Sequence, residues 1–166
     1  MTTASLAQGK LPAVGYNGDM YSAVLTIHSF LRWLVILLGV WAVASAWRQR
    51  QPGGGRPPVL PGLLFSLTLD IQMLFGLLLY VALSPMTTAA MLDMGGVMKN
   101  GPSRFWTVEH PAMMILAVAF AHVARPRATG TAPGKRALVL YSLALLAILV
   151  AMPWPFTPQG RPWIRW

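Results

Sequence analysis

Four stretches of almost unbroken apolar residues alternate with short polar, Gly- and Pro-rich segments: about 21–47, 59–84, 105–124 and 137–156. Roughly 20 apolar residues in a helix cross a bilayer. An open sheet cannot satisfy its backbone in lipid, so each stretch predicts a helix. The predicted fold is all-α, an integral membrane four-helix bundle over residues 21–156. Short connections make successive helices antiparallel neighbours, giving an up-down-up-down order in which helices one and three run the same way. Residues 1–20 show no basic segment followed by an apolar run and are predicted as an extramembrane tail. Residues 157–166 form a Pro/Trp-rich tail. Four prolines, at 153, 155, 158 and 162, prevent helix four from continuing into it and predict an extended segment along the interface.

The hydrophilic segments set the orientation. The connections RQRQPGGGRPP and RPRATGTAPGKR, with their flanks, hold Arg48, Arg50, Arg56, Arg125, Arg127, Lys135 and Arg136 and no acid. The opposite side holds Lys10, Lys99, Arg104, Arg161 and Arg165 with Asp19, Asp93 and Glu109. Short basic loops stay in the cytoplasm, so both termini are expected outside.

Composition narrows the class. Hydrophobic residues make up 55% of the chain and charged residues 10%, against roughly 25% charged in a soluble domain. The formal charge of +9 sits between apolar spans, so it speaks for membrane topology and against a nucleic-acid partner. Cysteine is absent, which removes disulfides, thiolate metal sites and covalent haem attachment. No nucleotide-binding motif, Ser/His/Asp set or paired carboxylates argues for a hydrolase or kinase, and four helices without broken repeats leave little room for a transporter.

Ionisable residues inside spans are costly and therefore informative. In YSAVLTIHSFLRWLVILLGVWAVASAW, His28 and Arg32 lie four residues apart on one helical face. Helix two, LTLDIQMLFGLLLY, adds Asp70, Gln72 and Gly76, the glycine permitting close helix contact. Counted from the outer ends, Arg32 lies about 16 Å deep and Asp70 about 21 Å. An Arg32–Asp70 ion pair is the expected structural outcome. The functional alternatives place Arg32 against a cofactor carboxylate or Asp70 on a proton path. In SRFWTVEHPAMM, Pro111 leaves the Thr107 carbonyl without its usual donor and bends the helix where His110 sits. The outer segment 86–98 carries Met91, Met94 and Met98 on one face of a short predicted helix. It is expected to lie on the membrane surface, with a thioether site for Cu(I) as the sharper alternative.

The three histidines decide the functional expectation. His28 and His110 each fall about 10 Å from the outer ends of helices one and three. Two imidazoles at matched depth on facing helices are what bis-histidine ligation of haem iron requires, and Arg32 would pair with a propionate. The plain alternative is that each histidine only bonds a neighbouring helix. His122, about 18 Å beyond His110 and rotated about 120°, has no matching histidine and is expected to be structural or interfacial.

HSFLRWLV, DIQMLFGLLLY and above all RFWTVEHPAMM, with the later PWPF, resemble a family of small four-helix bacterial membrane proteins generally labelled cytochrome B or cytochrome b-like. The resemblance covers about residues 21–156. His28, Arg32, Trp33, Gln72, Gly76, Tyr80, Trp106, Glu109, His110 and Pro111 are its matching positions. It implies a multi-pass protein of the bacterial inner membrane that carries haem b and transfers electrons, alone or as a subunit of a membrane redox complex. A quinol delivering electrons near Glu109 would fit. The rival expectation is a haem-free accessory subunit packed against a respiratory or photosynthetic complex.

Overall fold

In the computed structural model, residues 18–53, 59–128 and 135–163 are described. They form seven α-helices: α1 (Gly18–Arg48), α2 (Val59–Leu78), α3 (Pro85–Ala90), α4 (Met94–Lys99), α5 (Gly101–Arg104), α6 (His110–Ala128) and α7 (Lys135–Ala151). A wider π-helical turn, Leu79–Leu83, extends α2, and a second, Phe105–Glu109, joins α5 to α6. No strand occurs among the described residues. Gly18–Arg48, Val59–Leu83 and Gly101–Arg125 are each long and apolar enough to cross a bilayer. By length and composition this is a membrane protein with multiple spans. The fourth long helix, α7, has 17 residues. Lys10, Arg56, Arg165 and most of the predicted N-terminal tail lie outside the described residues.

Local chemistry sets the boundaries. The third apolar stretch starts earlier than expected because Asn100 accepts the Ser103 N–H at 3.0 Å and Pro102 occupies the first turn. The fourth ends at Ala151, five residues short of the expected 156, because Pro153 cannot continue it. The Met-rich segment is two short helices, not one. Asp93 accepts the Gly96 N–H at 2.9 Å and so begins α4 afresh. Met91 is thereby separated from the helix that carries Met94 and Met98, although all three are exposed.

α1 packs on α2 and α7, and α6 packs on α2 and α7. Lipid is as apolar as leucine, so close packing, not burial from water, holds such helices together. Small residues supply it. Ala117, Ala121 and Ala124 of α6 and Ala137, Ala144 and Ala147 of α7 are all buried. Gly39 of α1 lets the Phe65 ring of α2 approach to 3.0 Å of where a Cβ would stand. Phe65, Leu69 and Tyr141 are buried among them, whereas many other large apolar side chains point outward; Leu37 is 67% exposed and Leu74 66%.

The chain after α7 folds back as a strap over residues 152–163. Trp154 Nε1 donates to the Leu149 carbonyl (2.9 Å), and the Arg161 N–H to the Pro153 carbonyl (3.2 Å). At the crossing, a Cβ on Gly160 would stand 2.6–2.8 Å from the carbonyl oxygens of Trp154, Pro155 and Thr157, so glycine is required there.

Candidate functional site

A cavity of about 490 Å³ opens between α1, α2, α6 and the strap, within the roughly 300–1,000 Å³ of small-molecule and cofactor sites. Its walls are mainly apolar. His28 from α1, His110 from the start of α6, Gln72 and Gly76 from α2, and Arg32 and Arg161 are its notable residues.

The two imidazoles meet across it. Their ring centroids are 6.5 Å apart and their planes 66° apart. His110 Nδ1 lies 2.8 Å from the Ala151 carbonyl. A carbonyl only accepts, so this contact puts the proton on Nδ1 and leaves the Nε2 lone pair available. His28 is set by α2. Its own backbone carbonyl accepts from Gln72 Nε2 at 3.0 Å. Its ring rests on Gly76, where a Cβ would stand 3.1 Å from Cε1. The His28 Nδ1 is buried without a hydrogen bond of good geometry.

The start of α6 explains how His110 reaches this place. Pro111 has no N–H, and its ring crowds the carbonyl four residues back. The turn widens to π-helical over Phe105–Glu109. The Thr107 carbonyl then accepts the Tyr80 hydroxyl at 2.9 Å. π-turns of this kind are frequent at functional sites; here the two, Leu79–Leu83 and Phe105–Glu109, are stitched together by that bond. Trp106 and Phe105 flank His110 at 5.6 and 5.9 Å.

The expected Arg32–Asp70 pair does not form. The Asp70 carboxylate meets His122 Nε2 at 2.8 Å. Helix geometry gives the reason. Gln72 faces α1, and Asp70, two residues earlier, is turned about 200° away. Asp70 instead shares the face of Ser66, four residues back, whose hydroxyl lies 3.5 Å from the Ala121 carbonyl of α6. Arg32 Nη2 donates to the carbonyls of Pro162 (3.3 Å) and Trp163 (2.7 Å) in the strap. Trp33 Nε1 donates to the same Trp163 carbonyl (3.1 Å), and the two indoles stack at 5.9 Å.

Glu109 is bound to Arg104 (2.6 Å), with both side chains about half exposed, and it does not line the cavity. His122 and Asp70 also lie away from it. Thus His28, His110, Arg32 and Gln72 come together, whereas Asp70 and Glu109 do not join them. The site residues that sequence reasoning passed over are Arg161, Ala151 and the strap. Their only sequence signal is the dense alternation of Pro and Trp after α7.

Two imidazoles across an apolar cavity are the residues here that could hold a cofactor. Among the described residues no group of three or more His, Cys, Asp or Glu is placed to hold a metal, and a protein-only site generally needs three or four such ligands. The bond from His110 Nδ1 to a backbone carbonyl is the usual outer-shell support of a ligating histidine. No protein-family model matches the chain, nor does any curated protein or solved structure.

Proposed function

We propose that the chain is a membrane b-type cytochrome-like protein that holds one haem b in this cavity. His28 and His110 would hold its iron, and the protein would act in electron transfer alone or as a subunit of a membrane redox complex. In this reading it is an antiparallel four-helix transmembrane bundle in the bacterial inner membrane, with both termini outside. The pairings His28 with Gly76, Gly39 with Phe65, Tyr80 with Thr107, and His110 with Ala151 all suit antiparallel neighbours.

The observation that carries the reading is the pair of imidazoles 6.5 Å apart across an apolar cavity, one of them oriented by a backbone carbonyl. Haem supplies the one-electron chemistry when bound. The chain's residues orient the two imidazoles, enclose the ring in apolar side chains and restrict water, and these are the means by which a protein tunes a haem potential.

The test is the pyridine haemochrome content of the purified protein and its variants. One haem per chain is expected, lost in His28→Ala and in His110→Ala and retained in His122→Ala. A folded, inserted wild-type protein without haem would sink the proposal and promote the reading as a haem-free accessory subunit. One observation favours a subunit role under either reading. His122 and Asp70 remain 44% and 37% exposed on the apolar outer surface of α2 and α6. A polar pair facing hydrocarbon is costly, and a neighbouring transmembrane subunit would cover it.

A further inference from the structure

Arg32 is the cation that the sequence offers to an anionic ligand, yet its Nη2 is committed to strap carbonyls. Its interaction with the strap nevertheless brings a second cation to the cavity. With Trp33, it fastens the Pro162–Trp163 end, and Trp163 packs edge-on against Trp154 at 5.6 Å. Between these anchors, Arg161 is held by its backbone bond to Pro153 and its side chain lines the cavity. The guanidinium sits over the Trp106 ring, 5.2 Å from its centroid. Trp106 is in turn 5.6 Å from His110. Trp106 thus contacts both Arg161 and His110.

We infer that Arg161 is the cation that recognises a carboxylate on the ligand of this cavity, and that the ligand is a planar, largely apolar molecule with an acidic edge. Three observations converge. First, the guanidinium carbon lies 5.2 Å from the Trp106 centroid, within cation–π range, and among the described residues its side-chain N–H groups make no hydrogen bond, which leaves them to grip a carboxylate bidentately. Second, no carboxylate in the described residues takes that role. Glu109 is bound to Arg104, Asp70 to His122, Asp93 caps α4, and Asp19 lies in the first turn of α1. Third, Arg161 is only partly exposed and shares a wall with apolar residues, where an unmatched charge is costly and an anionic partner offsets that cost. The strap thus completes the site: Ala151, at its root, orients His110, and Arg161, near its end, supplies the charge.

This inference rests on the macrocycle reading of the cavity, and the experiment separates the two. Metal-free protoporphyrin IX and its dimethyl ester share shape and apolar area but differ in charge, and neither needs an axial ligand. Binding of each is measured by fluorescence to the full-length chain, produced in a haem-deficient host and purified in a non-ionic detergent. The wild type should bind the diacid about tenfold more tightly than the ester, the equivalent of one charge-assisted hydrogen-bonded contact. Arg161→Gln should weaken the diacid to the level of the ester and leave the ester unchanged. Arg161→Lys should keep part of the preference, and His28→Ala should keep all of it. Equal binding of diacid and ester by the wild type, or an undiminished preference in Arg161→Gln, would overturn the inference and assign Arg161 to lipid headgroups. Failure of both porphyrins to bind would overturn the macrocycle reading together with it.

Discussion

Tyr80 donates its hydroxyl to the Thr107 carbonyl across 2.9 Å, on the same carbonyl that Pro111 deprives of its helical donor. The bond ties the widened end of α2 to the widened start of α6 and so fixes the turn from which His110 projects. Tyr80→Phe should cost about 1–3 kcal/mol, the usual penalty for stranding a buried acceptor. Pro111→Ala restores a backbone donor, so the same Tyr80→Phe change should cost markedly less in that background. Unfolding of the four proteins in mixed micelles gives the cycle. Equal costs in both backgrounds would show that tyrosine acts by packing alone.

The partner of Asp70 makes a second prediction. Asp70→Ala and His122→Ala should be coupled, by about 0.6 kcal/mol on average and up to about 2 kcal/mol, as measured for interhelical hydrogen bonds in membranes. Asp70→Ala and Arg32→Ala should be additive, because they share no contact. The reverse pattern in a denaturation cycle would restore the Arg32–Asp70 pair.

Gly76 sets the position of the His28 ring. A methyl group there would stand 3.1 Å from Cε1, so Gly76→Ala should displace the imidazole by a few tenths of an ångström without disturbing the helices. Changes in the support of a ligand typically weaken metal binding about 10–100-fold. Under the proposed haem reading, haem content after dialysis against apomyoglobin should therefore fall in Gly76→Ala, while its circular dichroism remains that of the wild type. Unchanged haem retention would detach Gly76 from the site.

Away from the cavity, Gly62 and Tyr141 form a packing lock. A Cβ at Gly62 would overlap the Tyr141 hydroxyl, a buried group with no hydrogen-bond partner. Gly62→Ala should destabilise by about 1–3 kcal/mol through overpacking. Tyr141→Phe removes the offending oxygen, so it should be close to neutral alone and should rescue Gly62→Ala. A thermal melt of the double variant no better than that of Gly62→Ala would mean that the ring, not the hydroxyl, is the obstacle.

The sequence by itself determined the features that depend on local composition and counting. Unbroken apolar length predicts the helices, because lipid leaves the backbone no other way to bond. His28 and His110 were expected together because the rise per residue is constant and short connections bring helices one and three into register; the rings lie 6.5 Å apart. The orphaned Thr107 carbonyl was legible from Pro111 alone. Tertiary structure decided which groups answered these local demands. Asp70 turns to His122, not Arg32, because Gln72 already faces α1 and the two positions lie on opposite sides of one helix. Tyr80 reaches the Thr107 carbonyl only because α2 and α6 are neighbours there. The strap is the largest departure. Its prolines exclude a helix, but nothing local specifies that Trp163 returns to Arg32 and Trp33, some 130 residues earlier in the chain. Contacts of that sequence separation depend on where the intervening helices place their ends, and that is a property of the packed bundle.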